Sequence, residues 1–305
     1  MTPKARAALF VFLVPCMVVA QGSLQLAITT SNTVPLLSWN NPNAVLQGSP
    51  SITGNWVTIT NAPNPYLAPA TNSAAFYRLR VDCVSIPGIV SWWTGDGTAA
   101  DLVGPNGGQL MGAASYAQGE VGLAFNLDGF TGWVDVSNSA TLNPTGPFSV
   151  ECWEKGPTGQ SSAQSLIVDK SHGFADGTGW AIQTSVPGAA NFFYGIGGPT
   201  GNPTNFPYVS TSNSVLDGQW HHLAGVWTGT ELQIYDNGVL QQSMSQTTLP
   251  ANNTRDVEIG RSWGGGTPTR FFTGLIDEVT FYNRALSSNE VQAIFNAGSA
   301  GKCKH

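Results

Sequence analysis

From Gly88 onward apolar residues recur with a period of two in short runs, with Gly, Pro, Asn and Asp between them. Alternation over such lengths, bounded by turn residues, predicts strands and not helices. The predicted strands are Ile89 to Trp93, Leu123 to Leu127, Trp133 to Val136, Phe148 to Trp153, Ser165 to Val168, Trp180 to Thr184, Trp220 to Trp227, Leu232 to Tyr235 and Leu275 to Tyr282. Asp236-Asn237-Gly238 joins Leu232-Gln-Ile-Tyr235 to Val239-Leu-Gln-Gln, and Asn-Gly supplies the two positive φ values of a tight hairpin turn. One helix interrupts the pattern: Ser287-Ser-Asn-Glu290 fits a capping box, Val291, Ile294 and Phe295 share a face, and Gly298 is a stop. No repeat of solenoid or propeller length is visible, so stacked architectures are not expected.

A separate region, residues 21–81, carries the runs Leu24 to Thr29, Val34 to Trp39, Trp56 to Thr60 and Phe76 to Val81, with Asn61-Ala-Pro-Asn-Pro among its turns. It reads as a small β-domain with a marginal core. Before it, Lys4 and Arg6 precede an unbroken apolar run from Ala7 to Ala20 that ends in Val18-Val19-Ala20. That is the pattern of a signal peptide, residues 1–20, cleaved after Ala20. The run is too short for a membrane span, so a secreted, extracellular or envelope protein without membrane insertion is expected.

Charge and cysteine usage narrow the function. Without Lys4 and Arg6, ten basic residues face eighteen acidic ones, a formal charge of about −8. No basic face exists for nucleic acid. Cys83, Cys152 and Cys303 remain after export. Oxidising surroundings favour one pair. Cys83 and Cys303 mark the edges of the larger domain, where termini often meet, and are the expected disulfide. Cys152 sits in the alternating strand Phe148-Ser-Val-Glu-Cys-Trp153 and is expected to be a buried free thiol.

Five stretches together resemble the laminin G-like (concanavalin A-type) jelly roll of exported bacterial proteins. They are Cys83-Val-Ser-Ile-Pro-Gly-Ile-Val-Ser-Trp-Trp-Thr-Gly-Asp-Gly97, Gly122-Leu-Ala-Phe-Asn-Leu-Asp-Gly129, Phe148-Ser-Val-Glu-Cys-Trp153, Asp217-Gly-Gln-Trp-His-His222 and Gly274-Leu-Ile-Asp-Glu-Val-Thr-Phe-Tyr-Asn-Arg-Ala-Leu286. The resemblance covers residues 83–303 in order and departs at Cys152, where a small residue is usual. It implies an all-β, antiparallel β-sandwich, and the preceding segment, with Leu37-Ser-Trp39, Gly54-Asn-Trp56 and Phe76-Tyr-Arg-Leu-Arg80, resembles a short β-domain of similar proteins. Relatives of this fold often hold a structural calcium; the matching donors here would be Asp96, Asp101 and Asp277. A turn role for Asp96 and an N–H acceptor role for Asp277 stand as the alternative.

Catalysis finds little support. Hydrolases of this fold place Glu-x-Asp-x-x-Glu on one strand so that acid and nucleophile flank one bond. The nearest approach, Asp277-Glu278, is expected to send its side chains to opposite faces of a strand. His221 and His222 likewise alternate and read as structural. No metalloprotease, Gly-x-Ser-x-Gly or phosphate-loop motif is present. Trp180, Tyr194 and Trp263 lie near Gly-, Asn- and Pro-rich loops and are the candidate faces for stacking on a sugar. The expectation is a non-enzymatic module that binds glycan or a cell-surface protein, with an envelope spacer as the alternative and a hydrolase last.

Overall fold

The computed structural model describes residues 10–11, 25–31, 34–40, 44–69, 76–159, 165–171, 176–185, 187–198, 205–264, 267–268 and 270–304. The expected signal peptide therefore lies outside the described residues except for Phe10 and Val11. The chain divides into two compact units, Met1–Val84 and Ser85–His305.

The first unit contains β1 (Phe10–Val11), β2 (Leu26–Ser31), β3 (Val34–Trp39), β4 (Ala44–Ser49), β5 (Val57–Thr58), β6 (Tyr66–Leu67) and β7 (Phe76–Val81). They form two small sheets, ordered β1-β7-β4-β5 and β2-β3-β6. Leu26, Leu37, Leu46, Ala68 and Tyr77 make its core. Arg78 spans the rim, its Nε donating to Gln47 at 2.8 Å while its guanidinium lies 4.5 Å from the Trp56 ring centre.

The second unit begins with β8 (Ile89–Trp93), β9 (Gly108–Met111), β10 (Ser115–Gln118), β11 (Leu123–Asp128), β12 (Trp133–Val136) and β13 (Phe148–Lys155). There follow β14 (Leu166–Asp169), β15 (Trp180–Thr184), β16 (Ala189–Tyr194), β17 (Tyr208–Ser214), β18 (His221–Trp227), β19 (Glu231–Asp236) and β20 (Val239–Ser245). It closes with β21 (Val257–Ile259), β22 (Trp263–Gly264), β23 (Thr267–Pro268), β24 (Thr273–Tyr282) and the helix α1 (Ser288–Ala297). An eight-stranded sheet runs β10-β11-β24-β13-β18-β19-β20 with β8 also on β24, and a seven-stranded sheet runs β17-β16-β15-β14-β21-β12-β9. Both are antiparallel throughout. The unit is thus an antiparallel β-sandwich.

Inward-facing residues of both sheets meet in one core. Phe148 of β13 touches Phe192 and Tyr194 of β16 edge-on, and Trp180 of β15 stacks on Phe281 of β24 with ring centres 5.2 Å apart. Cys152 is a buried free thiol in this core. Cys83 and Cys303 are disulfide-bonded. Among the described residues no helix is long and apolar enough to cross a membrane.

Local rules operate where the chain turns. Asn237 and Gly238 take φ of 52° and 77°, as the tight hairpin requires. Strands the sequence reading passed over, such as β9, β10 and β17, are short or polar and sit at sheet edges. The alternation of β24 fails at one point. Glu278 has φ of 57°, and the register against β13 slips between Glu151 and Trp153, a bulge that sets two residues of β24 opposite Cys152. The bulge lies where the neighbour of β24 on its other side changes from β11, which ends its pairing at Ile276, to β8, which pairs from Val279.

The predicted capping box of α1 forms: the Ser287 hydroxyl accepts the Glu290 N–H at 3.3 Å, and the Glu290 carboxylate accepts the Ser287 N–H at 2.9 Å. Arg284 adds two charged hydrogen bonds at 2.8 and 3.0 Å, holding the Glu290 carboxyl down to about 2. A depressed folded-state pKa stabilises fully above the unfolded value of 4.5 and is lost as pH falls toward 2. Denaturant titrations between pH 2 and pH 6 are expected to show Glu290→Gln flattening the acid-side loss of stability. Ser287→Ala is expected to cost about 1 kcal/mol at neutral pH.

Candidate functional site

Asp101 departs from the expected calcium set. Its Oδ1 accepts the N–H groups of Trp92, Val103 and Gly104 at 2.9, 3.1 and 2.9 Å, and its Oδ2 accepts that of Asn106 at 3.1 Å. The carboxylate is spent holding the loop after β8 closed. After burial and Glu278, the charge of Asp96 is among those that raise the Asp277 pKa. Asp96 accepts the Leu123 N–H at 2.8 Å and is ion-paired with Lys304. Asp277 is fully buried; its Oδ2 accepts the Val121 N–H at 2.9 Å, and its Oδ1 has no hydrogen-bond partner among the described residues. Among the described residues no three His, Cys, Asp or Glu side chains converge as metal ligands. The carboxylates of Asp96 and Asp277 are held by backbone amides and a lysine, and that of Asp101 by four backbone N–H groups.

Beside Asp277 lies a buried ionic cluster that no motif announced. Glu151 points away from the core toward Lys302 Nζ at 2.8 Å, Tyr282 OH at 3.1 Å and His222 Nε2 at 3.0 Å. Lys302 Nζ also reaches Glu278 Oε2 at 3.3 Å, and the Trp92 Nε1–H donates to the same oxygen at 3.0 Å. Burial pushes the Glu151 pKa up, but Lys302 and His222 outweigh it and hold the carboxyl down to about 2. For Lys302, burial disfavours the ammonium, yet Glu151 and Glu278 hold its pKa above the ordinary lysine value. Burial raises Asp277 well above the carboxylate range, and the neighbouring Glu278 adds to it. The bulge therefore corrects the expectation that Asp277 and Glu278 simply alternate. Both are buried, and neither is open to a substrate.

The outer surface of the seven-stranded sheet carries two kinds of polar row. One comprises Asp135, Glu258 and Asp169, directly paired across β12, β21 and β14. Side chains paired this way lie about 5 Å apart, a spacing compatible with acid catalysis. Two of the three have fixed partners. Glu258 is ion-paired with Arg261, whose guanidinium lies 3.5 Å from the Trp133 ring centre, and Asp169 accepts both the N–H and the hydroxyl of Ser171 at 2.6 Å.

The second row is amide and hydroxyl in character. Gln183, Asn191 and Ser210 are paired across β15, β16 and β17, and the Ser210 hydroxyl donates to Asn191 Oδ1 at 2.8 Å. Gln183 is buried, and its Oε1 has no hydrogen-bond partner among the described residues. The adjacent row is Ala181, Phe193 and Tyr208. Phe193 meets Phe206 edge-on at 5.6 Å, whereas Tyr208 is 59% exposed. The Tyr208 ring, beside the half-buried Ser210, is open to stack on a sugar face, while Gln183, Asn191, Ala181 and Phe193 are buried.

Trp180 and Tyr194, proposed from sequence as stacking faces, belong to the same strands but point inward. The Trp180 Nε1–H donates to the Leu142 carbonyl at 3.1 Å, and the Tyr194 hydroxyl to that of Thr248 at 2.6 Å. Buried rings with satisfied polar tips have no free face. The backbone of Trp263 lies in β22, paired with Pro268 of β23, and its side chain lies outside the described residues. His221 and His222 diverge as expected. Burial lowers the His221 pKa, but its contacts with Asp236 and Asp217 outweigh this and raise it, while His222 faces Glu151.

The two facing sheets now meet their counterparts among known proteins. A family profile described as the concanavalin A-like lectin/glucanases superfamily matches residues 128–292. The chain belongs to this superfamily. No curated protein matches. Among solved structures similar to this superfamily member is domain 4 of AbnA, an extracellular GH43 arabinanase from Geobacillus stearothermophilus, in complex with arabinotriose. It is 21% identical, with a TM-score of 0.52 over 67% of this chain and 97% of that one. The binding domain of Paraclostridial Mosquitocidal Protein 1 is 16% identical, with a TM-score of 0.56 over 69% of this chain and 52% of that one. A botulinum neurotoxin type C structure described with two ganglioside molecules is 13% identical, with a TM-score of 0.53 over 69% of this chain and 51% of that one. At these identities the likeness is one of fold. The chain spans about half the length of the two toxin structures.

Trp180→Ala is expected to lower the free energy of unfolding by about 3–5 kcal/mol in urea titrations. Loss of an exposed stacking residue would stay within about 0.5 kcal/mol.

Proposed function

We propose that the second unit is a non-catalytic glycan-binding module of an exported protein, and that its contact surface is the outer face of the edge strand β17. The observation that carries this reading is the exposed Tyr208 ring on the edge strand β17, with the half-buried Ser210 on the same face held by Asn191. The pyranose or furanose C–H face would cover the ring, and a sugar hydroxyl would meet the half-buried Ser210 on the same face. The arabinotriose complex of the AbnA domain supports a sugar, and the toxin binding domains support a recognition role for this fold. Membership in a lectin and glucanase superfamily fits the same reading. Fold alone does not select a ligand. Export is supported by the Lys4, Arg6 and Ala7 to Ala20 pattern and by the Cys83–Cys303 disulfide.

A hydrolase is the second reading, favoured by the Asp135–Glu258–Asp169 row alone. The Arg261 pairing of Glu258 and the Ser171 bonds of Asp169 count against it, because a catalytic acid and base need carboxyls free to exchange protons. Release of reducing ends from arabinan, abolished in Glu258→Gln, would replace the first reading with the second.

The test of binding is a glycan array followed by isothermal titration with arabinotriose as the first probe. Tyr208→Ala is expected to weaken binding about tenfold, the equivalent of roughly 1.4 kcal/mol, with an unchanged melting temperature. An array without signal, or full affinity in the Tyr208→Ala protein, contradicts the proposal.

A further inference from the structure

The C-terminal segment Lys302-Cys303-Lys304 places two ammonium groups where the fold gathers its acids. Lys302 is buried between Glu151 and Glu278, at 2.8 and 3.3 Å, and lies 4.9 Å from the Trp92 ring centre. Lys304 pairs with Asp96 and stands 3.7 Å from Glu278 Oε1. The residue between them is Cys303, bonded to Cys83. Other groups facing the cluster are Asp277, His222 and Tyr282.

We propose that these lysines are tethered counter-cations that do the work of a metal ion in this fold, and that the Cys83–Cys303 bond serves as the clasp that keeps them in the acid cluster. A buried carboxylate without its partner is far more costly than the pair is favourable. Glu151 and Glu278 therefore depend on Lys302 staying in place. The alternating order lysine, cysteine, lysine means that one covalent anchor restrains both charges, since each ammonium stem starts one residue from the anchored Sγ. A freely diffusing cation pays an entropic cost on binding that a tethered one has largely paid already. The donors of the expected calcium set match this arrangement: Asp96 faces Lys304, Asp101 is saturated by backbone N–H groups, and among the described residues no three acids converge as metal ligands.

Two measurements on the full chain test this. Thermal melts of the wild-type protein in millimolar calcium and in EDTA are expected to coincide within a degree, and a calcium-dependent rise overturns the replacement of metal by lysine. The second is a cycle of Lys302→Met, the double variant Cys83→Ser/Cys303→Ser, and their combination. Lys302→Met is expected to lower the melting temperature by roughly 10 °C. The combined protein should lose little more than the worse of its parents, because opening the clasp already releases the charge. Fully additive losses overturn the clasp. Should Lys302→Met fail to fold, Lys304→Gln replaces it in the same cycle with a smaller shift of roughly 2–4 °C. Lys302→Arg, which keeps the charge, is expected to recover most of the loss, and failure to do so contradicts an electrostatic role.

Discussion

The stacking of Trp180 on Phe281 joins the two sheets at their centres and settles which way every neighbouring residue faces. Because side chains alternate along a strand, fixing one inward residue on β15 and one on β24 fixes the rest. Ile182 must follow Trp180 into the core, and Ala181 and Gln183 must face out. Across the register the outward set then includes Asn191 and Phe193 of β16 and Tyr208 and Ser210 of β17. The recognition face is in this sense a consequence of the core. Of these outward residues Tyr208 and Ser210 reach the surface, because Ala181, Gln183, Asn191 and Phe193 are buried on that side as well.

The same logic on β24 leads to a different outcome. Phe281 and Val279 are held inward, as is Ile276, and the count between Ile276 and Val279 does not suit strict alternation. The bulge at Glu278 absorbs the mismatch at the point where β11 gives way to β8 as the pairing partner. Its consequence is two buried acids side by side, close to Glu151 of the adjacent strand. A β-sandwich tolerates such a cluster only with cations that cannot wander off. Lys302 and Lys304 meet that need from a segment pinned by a disulfide. Thus a backbone irregularity in the middle of the sheet and the covalent closure at the end of the chain belong to one electrostatic arrangement.

Much of this was legible in the sequence. The strands with clean alternation, the Asn237-Gly238 turn, the Ser287–Glu290 cap, the sandwich class and the buried Cys152 follow from local rules, and all of them appear in the fold. Trp180 and Tyr194 were misread because their strands are buried on both faces. Trp180-Ala-Ile-Gln-Thr184 and Ala189-Ala-Asn-Phe-Phe-Tyr194 give no polar phase by which to tell inward from outward. The amide residues were the available signal, since an isolated Gln and Asn in apolar strands mark the face that must satisfy polar groups. The role of Asp101 in closing its loop was not legible, because donor type says nothing of direction; four backbone N–H groups claim it through a loop closure that spacing does not reveal. The Glu151–Lys302 pair joins residues far apart in the chain and had no local signature beyond a lysine beside a disulfide cysteine.

The most direct measurement is a crystal structure of the chain soaked or grown with arabinotriose, or with whichever glycan an array selects. The account predicts sugar density over the Tyr208 ring, with a hydroxyl at hydrogen-bond distance from Ser210 Oγ. Well-ordered sugar bound elsewhere on the sandwich, with Tyr208 untouched, would contradict it.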